Sequence, residues 1–412
     1  MITILCSGTR GDVQPYIALG LELQKLGKSV RIATNTIFES FVRGYGLDFF
    51  PINVDYQSAN VDPAMIRQAQ QADNPLKMFF TFQKMKEYGV HMLEEFFGAC
   101  DGSDLIVYHP GITIGYFAAE RLGIPAVLAS PFPLHTTRQH TAVILYGKVK
   151  ANPIVNRLSY KLLQNMLWMT SESTIRSFWK KNFGQAPAHF GCPYERHTDA
   201  RHPAVISCSN FIFQRPSDWD AHIHQSGYWF LEEPTYTPSP ELAAFLEQGE
   251  KPIYVGFGSM FDAENTARLA QIILQGLAQT GRRAILGGFG RLENLPQTVF
   301  AVESIPHSWL FERVAAVCHH GGAGTSAAGF RAGVPSAIFP FALDQYAWAQ
   351  RAFDLGIGAR PVPIKNLTVQ KFVEAIQFAS QEDIRANAWA VGQKIRAETG
   401  AEDSARVIAD IL

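Results

Sequence analysis

The sequence has no uninterrupted apolar run approaching the roughly 18–20 residues that a membrane-spanning helix requires. It also lacks an excess of charge of either sign, since 36 Lys and Arg residues nearly balance 37 Asp and Glu residues. A protein whose main partner is nucleic acid is usually more basic, so no nucleic-acid partner is expected. Residues 2–6 form only a short apolar start, without the charged region and longer apolar stretch of a secretory signal. We therefore expect a cytoplasmic protein, or at most one peripheral to a membrane.

The cysteines are few and show no metal-binding or disulfide pattern. There are five, an odd number, scattered along the chain without a CxxC pair. That spacing predicts neither a disulfide framework nor a zinc site, and it fits a reducing compartment. With 47% hydrophobic and 18% charged residues, the 412-residue chain has the composition of a globular protein and is long enough for two domains.

Short apolar runs alternate with helical patterns in two series. In the first series, strands are predicted at 2–6, 29–33, 105–108 and 126–129, with a glycine-punctuated turn at 7–11 and a helix over 16–26. In the second series, strands are predicted at 252–257, 283–286, 314–318 and 336–341. Strands that alternate with helices indicate an α/β fold whose parallel sheets are covered on both faces.

The two series are separated by residues 231–240, LEEPTYTPSP, which are polar and contain three prolines. Such a stretch is stiff and extended rather than helical. We therefore predict an N-terminal domain over 1–230, a linker over 231–240 and a C-terminal domain over 241–400. The last helix, at 401–412, has no strand after it and is free to pack elsewhere, including across a cleft between the domains.

Residues 314–333, VAAVCHHGGAGTSAAGFRAG, predict a buried strand that runs through a glycine-rich turn into a helix. Gly322 and Gly324 let backbone N–H groups approach an anion, and the helix N-terminus adds a positive dipole at the same point. Thr325 stands where an N-cap hydroxyl would, and His320 can donate an imidazole N–H to a phosphate. A tight turn without a ligand is the alternative, and the paired histidines favour phosphate binding over it.

A dinucleotide site is a rival interpretation of the same turn. Residues 322–327 satisfy the fingerprint GxGxxG/A, and Asp344 lies twenty residues beyond Gly324, where a ribose-binding acid is expected. In that fingerprint the acid ends the second strand, whereas Asp344 follows Pro340 and a short predicted loop. The histidine pair also puts phosphate-binding side chains where the fingerprint needs none, which counts against this interpretation.

Two further segments belong to the same predicted edge of the sheet. Gly258 and Ser259 lie in a second glycine turn at 256–260, which follows a strand and offers more backbone N–H groups. Asp344 and Gln345 follow the strand at 336–341, and a carboxylate beside a carboxamide can bind adjacent hydroxyls of a sugar. As a bare dipeptide this pair is common on protein surfaces.

Asp12 follows the first strand and turn, at the mouth of the first βα unit. A carboxylate at such a position can act as a general base, which accepts a proton from a reacting group. The alternative role for Asp12 is to cap a helix that starts near Pro15.

Four blocks of the sequence together resemble one protein family. They are residues 7–15 (SGTRGDVQP), 255–260 (VGFGSM), 305–311 (IPHSWLF), and 319–333 together with 339–350. In this order they are similar to family 1 glycosyltransferases of the GT-B fold, in the branch that holds sterol 3-beta-glucosyltransferases and bacterial antibiotic glycosyltransferases. The resemblance implies two Rossmann-like domains whose parallel sheets face each other across a cleft.

The family implies an inverting transfer of a sugar, with glucose favoured, from a nucleotide diphosphate to a hydroxyl of a hydrophobic acceptor. A sterol, a triterpenoid or a polyketide would be such an acceptor. UDP is favoured and dTDP stays open, because Ala328 stands where plant-type members have a ribose-binding glutamate. The nucleotide sugar is a substrate, so no cofactor and no metal ion are expected.

The resemblance also assigns roles to single residues. Asp12, which stands where many members have a catalytic histidine, would be the base, with Thr9, Arg10 and Gly11 near the active site. Donor binding would fall to residues of the second domain: Gly258, Ser259, His320, Gly322, Gly324 and Thr325 around the diphosphate, Ile305 and His307 at the nucleotide base, and Asp344 and Gln345 at the sugar.

Two stretches of the first domain bear on the acceptor. Residues 76–97 are rich in Met and Phe, which suits either a large apolar ligand or an ordinary core. Residues 148–181 carry seven Lys and Arg residues against one acidic residue, and Tyr160, Trp168, Phe178 and Trp179 are interleaved. Such a stretch can lie on an anionic bilayer as a peripheral contact, and a solvated helix face is the alternative.

Two other functions remain open for the same fold. A nucleotide-sugar epimerase would bind the donor alike but would need no acceptor pocket. A non-catalytic nucleotide-sugar-binding protein would be indicated by replacement of Asp12, and this residue is present.

Overall fold

The computed structural model describes residues 1–53, 86–233, 235–258, 263–290 and 292–412. These residues form two compact units, one made of residues 1–231 and 398–412, the other of residues 232–397. Each unit contains a sheet whose strands are all parallel. The predicted α/β class with two parallel-sheet domains is therefore confirmed.

The first unit is built on a seven-stranded sheet with the order β3-β2-β1-β4-β5-β6-β7. Its strands are β1 (Ile2–Leu5), β2 (Val30–Asn35), β3 (Asp48–Ile52), β4 (Leu105–Tyr108), β5 (Ala126–Ser130), β6 (Ala204–Ser207) and β7 (Ile223–Gly227). β1 and β4 are neighbours, with Leu5 opposite Tyr108 at their carboxyl ends. The strand order reverses at this pair, and open α/β sheets bind ligands beside such a switch point.

The described helices that precede β7 are α1 (Arg10–Lys25), α2 (Glu39–Gly44), α3 (Lys86–Ala99), α4 (Ile114–Leu122) and α5 (Pro153–Phe183). The predicted boundary between a turn at 7–11 and a helix from 16 is wrong, because the helix begins within the predicted turn. Thr9 and Asp12 form a capping box that starts α1 at Arg10, and Pro15 lies inside the helix. Asp12 is therefore a residue of the helix rather than of a turn before it.

The second unit is built on a five-stranded sheet with the order β10-β9-β8-β11-β12. Its strands are β8 (Ile253–Gly256), β9 (Ala284–Gly287), β10 (Val299–Val302), β11 (Val317–His319) and β12 (Ser336–Ile338). Its described helices are α6 (Pro240–Glu247), α7 (Ala263–Thr280), α8 (His307–Leu310), α9 (Ala323–Ala332), α10 (Gln345–Asp354), α11 (Val369–Ala379) and α12 (Glu382–Arg396). Here the order reverses between β8 and β11, where His319 lies opposite Gly256.

The final helix, α13 (Gly400–Ala409), packs in the first unit. Ala405 and Ile408 belong to the hydrophobic cluster that contains the apolar face of α1. Gly400 approaches the backbone of Gly227 so closely that a β-carbon on Gly400 would lie 2.5 Å from the Gly227 carbonyl carbon. Residues 231–233 and 235–239 of the predicted linker have no regular secondary structure, and α6 begins at Pro240.

The strands β3, β6, β7 and β10 were not predicted, and composition explains three of them. β7 (IHQSG) and β3 (DFFPI) are interrupted by polar residues or by Pro51, and β10 lies at a sheet edge with most of its residues only partly buried. The predicted strand at 336–341 was too long, because β12 ends at Ile338. Pro340 follows shortly and has no N–H group with which to continue a ladder.

Candidate functional site

The glycine-rich turn of the second unit lies at the switch point between β8 and β11. β11 ends at His319, and α9 begins at Ala323 with Gly322 as its N-cap and no acidic residue in its first turn. Gly324 is exposed, while Gly322 and Thr325 are half-buried. Thr325 is thus the third residue of α9, and its predicted N-cap position is wrong. The positive end of this helix is accessible and carries no acidic side chain of its own, which is the arrangement of an anion site.

Both glycine turns of the second unit meet at the imidazole of His320. A β-carbon on Gly258 would lie 3.3 Å from Cε1 of this ring, and one on Gly322 would lie 2.9 Å from its Nε2. Gly258 also has φ +67°, a left-handed conformation that favours glycine. The two turns therefore need glycine where they enclose the ring. Ser259, predicted beside Gly258, lies outside the described residues.

Burial sets the protonation state of His320. It lowers the pKa of the imidazole to about 4, so the ring is neutral near pH 7. Nδ1 is buried and has no hydrogen-bond partner among the residues that the structure describes. A neutral imidazole has one N–H donor and one acceptor nitrogen. An anion at the N-terminus of α9 would accept a hydrogen bond from the imidazole N–H and would raise the pKa of the ring.

The two adjacent histidines have different roles. His319 is fully buried, and its Nδ1 accepts a hydrogen bond from the backbone N–H of Gly321 at 3.0 Å. Burial, together with His320 and His307, lowers the pKa of His319. The sequence predicted a pair of phosphate-binding side chains, whereas His319 shapes the turn from within.

Ile305 and His307 flank the start of α8 in the same unit. Ile305 is buried, and the His307 ring stacks on Phe311 with centroids 4.5 Å apart and an interplanar angle of 14°. Nε2 of His307 lies 3.3 Å from the hydroxyl of Tyr254, a residue of β8. The His307 ring is thus held in a fixed orientation against Phe311 and Tyr254, and Tyr254 belongs to the strand that pairs with β11.

Asp344 and Gln345 lie where β12 leads into α10, next to the same turn. Oδ2 of Asp344 accepts a hydrogen bond from the Trp348 indole at 2.8 Å. Oε1 of Gln345 accepts the backbone N–H of Phe341 at 2.7 Å, which holds the loop. A β-carbon on Gly321 would lie 3.0 Å from the carbonyl oxygen of Gln345, so this loop and the glycine-rich turn are in contact. Each side chain therefore has a structural partner in addition to its predicted contact with a sugar.

In the first unit, Asp12 is held firmly at the N-terminus of α1. Its Oδ2 accepts hydrogen bonds from the backbone N–H of Thr9 at 2.7 Å and from the Thr9 hydroxyl at 3.0 Å. A β-carbon on Gly8, where φ is +136°, would lie 2.3 Å from the same oxygen. Arg10 places its guanidinium 4.5 Å from the ring centre of Phe41, and Gly11 is exposed. Asp12 is therefore not the cap of a helix that starts near Pro15. It belongs to the capping box of α1 as the third helical residue, while Thr9 is the N-cap, and its position leaves a role as a base open.

His109 also belongs to this region, and sequence reasoning missed it. It follows β4, and its backbone N–H donates to the carbonyl oxygen of Leu5 at 3.0 Å. Its ring packs edge to face on Tyr16, with centroids 5.9 Å apart. The available signal was a histidine directly after the predicted strand at 105–108, but its use required knowing that this strand lies beside β1.

The Met- and Phe-rich stretch predicted to contact an acceptor is described only in part. Residues 76–85 lie outside the described residues. Phe96 is fully buried, and Phe97 packs against Phe178, Trp179 and Phe183. These two phenylalanines therefore serve an ordinary core, the alternative that the composition allowed.

The basic stretch at 148–181 forms most of α5. Its interleaved aromatic residues Tyr160, Trp168, Phe178 and Trp179 are buried, so they do not form an exposed face. Ile154, Leu158, Leu162 and Met169 are exposed instead, and Arg157 and Lys161 are exposed among them. The exposed apolar side chains of this helix are therefore aliphatic ones and Met169, not the aromatic side chains that were predicted to contact a bilayer. In the ranges that the structure describes, no helix is both long and apolar enough to cross a bilayer.

Comparison with protein families gives two matches that lie in different parts of the chain. Residues 2–141 match the glycosyltransferase family 28 N-terminal domain. Residues 287–412 match the erythromycin biosynthesis protein CIII-like C-terminal domain. The two matches contain Asp12 and His109 in the first case, and His320, Thr325 and Asp344 in the second.

Curated relatives match nearly the whole chain. The chain is 33% identical to sterol 3-beta-glucosyltransferase UGT80B1 of Arabidopsis thaliana over 416 aligned residues, covering 97% of this chain and 66% of the relative. It is 32% identical to a sterol 3-beta-glucosyltransferase of Yarrowia lipolytica, covering 97% of this chain and 28% of the relative. The chain thus spans less than two thirds of the length of these relatives.

Solved structures match over the full length. The glycosyltransferase of kitacinnamycin superposes with a TM-score of 0.73 at 20% identity, covering 100% of this chain and 98% of that one. The glycosyltransferase SnogD from Streptomyces nogalater superposes with a TM-score of 0.68 at 19% identity, covering 100% of this chain and 99% of that one. At this identity the likeness establishes the fold, and the predicted fold class is confirmed.

Proposed function

The chain belongs to the GT-B glycosyltransferases, with a family 28 N-terminal domain and an erythromycin-CIII-like C-terminal domain, and from this premise we propose its reaction. The protein transfers a sugar from a nucleoside diphosphate to the hydroxyl of a hydrophobic acceptor, with inversion at the anomeric carbon. The observation that carries the proposal is the meeting of two glycine turns and His320 at an uncapped helix N-terminus. Such a site suits a diphosphate.

The donor diphosphate binds where α9 begins. Backbone N–H groups of the first turn, beginning at Ala323, have no partners within the helix and can donate to phosphate oxygens. His320 adds one imidazole N–H, and Gly258 lets the β8 turn approach the same ring. The nucleotide base lies toward His307, and the sugar toward Asp344 and Gln345, which extend the site along the sheet edge.

Asp12 acts as the base. As the acceptor oxygen bonds to the anomeric carbon, its proton passes to the Asp12 carboxylate and the bond from that carbon to the diphosphate breaks. The two hydrogen bonds from Thr9 orient the carboxylate. Orientation of this kind is what a general base requires, because the proton moves only in the transition state.

The names of the relatives favour particular substrates. The Arabidopsis and Yarrowia proteins are sterol 3-beta-glucosyltransferases, which supports glucose as the sugar and a sterol-like alcohol as the acceptor. UDP is the favoured nucleotide, and the glycosyltransferase VinC, a structural neighbour solved with dTDP, keeps dTDP as the other candidate. The transferase names of these relatives lend no support to the epimerase alternative.

A product assay tests this function. The protein is incubated with UDP-glucose or dTDP-glucose and with sterols, triterpenoids, polyketides or simple sugars, and the products are identified by mass spectrometry and NMR. We expect a β-glucoside of the apolar alcohols and little transfer to simple sugars. Interconversion of the donor sugar would support an epimerase instead, and donor binding without any turnover would support a binding protein.

Contact with an anionic bilayer through residues 148–181 is part of the proposal. Ile154, Leu158 and Leu162 are exposed at intervals of four residues, which places them on one face of α5. Residues 148–171 contain basic side chains and no acidic one. Apolar side chains flanked by cations suit a surface of anionic lipids, whereas a second copy of this basic face would repel it.

Vesicle sedimentation tests the bilayer contact. Vesicles containing phosphatidylserine should retain the protein, and serine at positions 154, 158 and 162 should reduce that retention at least about tenfold, because apolar burial is lost. Ile37→Ser is the control, since Ile37 is 73% exposed in the same unit outside α5. Equal retention of both variants, or none of the unaltered protein, would remove this part of the proposal.

A further inference from the structure

His109 directly follows β4, and Asp12 lies in the first turn of the helix that follows the neighbouring strand β1. β1 and β4 are paired in parallel, and Leu5 lies opposite Tyr108 at their carboxyl ends. His109 extends this pairing by one bond, because its N–H donates to the Leu5 carbonyl oxygen at 3.0 Å. The chain after β1 then enters α1, whose first turn carries Asp12. The strand order reverses at this pair, so both residues lie at the switch point.

The hydrogen bonds of the His109 ring define which nitrogen carries its proton. Nδ1 accepts the backbone N–H of Gly111 at 3.0 Å. A neutral imidazole that accepts at one nitrogen has its proton on the other, so Nε2 carries the hydrogen. The ring is further fixed by edge-to-face packing on Tyr16, at an interplanar angle of 75°. The loop therefore holds a neutral ring in one orientation with Nε2–H as its donor.

Among the residues that the structure describes, Asp12 supplies the charge that acts on His109. Tyr16 from α1 and Cys6 at the end of β1 are both fully buried, and burial raises the pKa of each, to about 12 for the Cys6 thiol. Both are neutral near pH 7. Burial lowers the pKa of His109 as well, and the negative charge of Asp12 opposes that effect. Tyr16 connects the two residues in space, because its ring packs against His109 and it lies about one helical turn after Asp12 in α1.

We propose that His109 is a positioning residue for the transfer reaction, whose Nε2–H donates to the Asp12 carboxylate and orients it toward the acceptor hydroxyl. This inference rests on the proposed role of Asp12 as the base. Hydrogen bonds between catalytic groups are commonly long in the free enzyme and shorten when the substrates bind. Two donors from Thr9 fix the oxygen Oδ2, and a third from His109 would fix the rotation of the whole carboxylate.

Two amide substitutions test the contributions of the two nitrogens of the His109 ring separately. The shorter amide introduced by His109→Asn can accept from the Gly111 N–H near the position of Nδ1, but it has no donor at the ε position. The longer amide introduced by His109→Gln reaches the ε position and can donate to Asp12. We expect His109→Asn to lower kcat about 10- to 100-fold, as for the loss of one hydrogen bond to a charged group, with KM for the donor unchanged. His109→Gln should recover most of that loss.

A double substitution tests whether the effect passes through Asp12. Once Asp12→Asn has removed the base, adding His109→Asn should lower kcat no further, since the two residues act as one unit. A purely structural role would instead add its own loss and lower the melting temperature of both His109 variants. The acid limb of the kcat/KM profile should also shift in His109→Gln, because the amide cannot take up a proton.

The outcomes separate this inference from the proposed function. If Asp12→Asn retains full activity, the assigned base is wrong, whatever the His109 variants do. If Asp12→Asn is inactive but His109→Asn matches the unaltered enzyme, only the role of His109 is overturned. Equal impairment of His109→Asn and His109→Gln, or a greater impairment of His109→Gln, would also overturn it, because the loop rather than Nε2–H would then be the determinant.

Discussion

The switch points of the two units contain the same local motif, a parallel strand that turns into a helix, but the two helix N-termini differ in charge. At α1 the third helical residue is Asp12, and its carboxylate accepts two hydrogen bonds from the N-cap residue Thr9. At α9 the third helical residue is Thr325, the N-cap is Gly322, and the first turn has no acidic side chain. The first helix carries its own anion, and the second leaves its dipole open to an anionic ligand.

This difference indicates how one architecture can serve two chemical tasks. A fixed carboxylate at α1 would repel a phosphate and would be available as a base. An uncapped α9, lined by Gly322 and Gly258 around His320, would attract a phosphate. The histidines near the two helices differ in a similar way: the charge of Asp12 opposes the effect of burial on the pKa of His109, whereas burial lowers the pKa of His320 to about 4.

The largest effect is expected when the anion of α1 is removed. Asp12→Asn should lower kcat about 10²- to 10⁴-fold, because the base is lost, and leave the affinity for the nucleoside diphosphate nearly unchanged. Turnover and calorimetric binding are measured on the same preparations. Asp403→Asn is a matched control, since Asp403 accepts a hydrogen bond from the N-cap Thr399 of α13 in the same unit. Comparable losses in both variants would mean that capping, not catalysis, explains the effect.

A second prediction gives α9 the anion that α1 has. Thr325→Asp places a carboxylate at the position that corresponds to Asp12, and nucleoside diphosphate binding should weaken about 10- to 100-fold through like-charge repulsion. The melting temperature should rise slightly, because the new charge complements the helix dipole. Thr325→Asn is the neutral control of similar size and should bind at least about ten times more tightly than Thr325→Asp, for the same reason. Added salt should reduce the difference in affinity between the two variants, because it screens the repulsion. Unchanged binding in Thr325→Asp would place the diphosphate elsewhere.

The sequence contained most of the second site and only half of the first. The glycine turns and His320 stand in one continuous segment or directly after a strand, so local pattern was sufficient to find them. The contact of Gly258 with His320 depends on β8 and β11 being neighbours, although a long stretch of chain separates them. His109 was missed for the same reason, since its proposed role depends on the pairing of β4 with β1. Strand order is a tertiary property that a single sequence does not contain.

The start of α1 shows a different limit. Pro15 predicts a helix N-terminus close to itself, because proline is common at a first helical position. The capping box of Thr9 and Asp12 is also a local signal, and it starts the helix earlier. Two start signals therefore compete in this segment, and the hydrogen bonds to Asp12 prevail over the preference of proline.

A smaller effect is expected from the side chain that both glycine turns enclose. His320→Ala should weaken nucleoside diphosphate binding about 2- to 10-fold, the value of one hydrogen bond from a neutral donor, because the ring is uncharged near pH 7. Isothermal titration calorimetry with UDP is the measurement. His222→Ala is a control, because His222 is a histidine of the other unit remote in sequence from the glycine turns. An unchanged dissociation constant in His320→Ala would mean that this residue does not contact the diphosphate.

The smallest effect concerns the uptake of a proton by His320 when the diphosphate binds. In the free protein the pKa of His320 is about 4, and a bound diphosphate should raise it, as any nearby anion favours the imidazolium. Binding between these two pKa values must then take up protons, so the affinity increases as the pH falls through this window. Protonation of the ligand's own terminal phosphate, with a pKa near about 6, acts in the opposite direction. Protonation of the ligand affects both proteins equally, so it cancels when the dissociation constant of His320→Gln is divided by that of the unaltered protein. This ratio should rise as the pH is lowered from about 7 to about 5. A ratio independent of pH would mean that the anion does not reach His320.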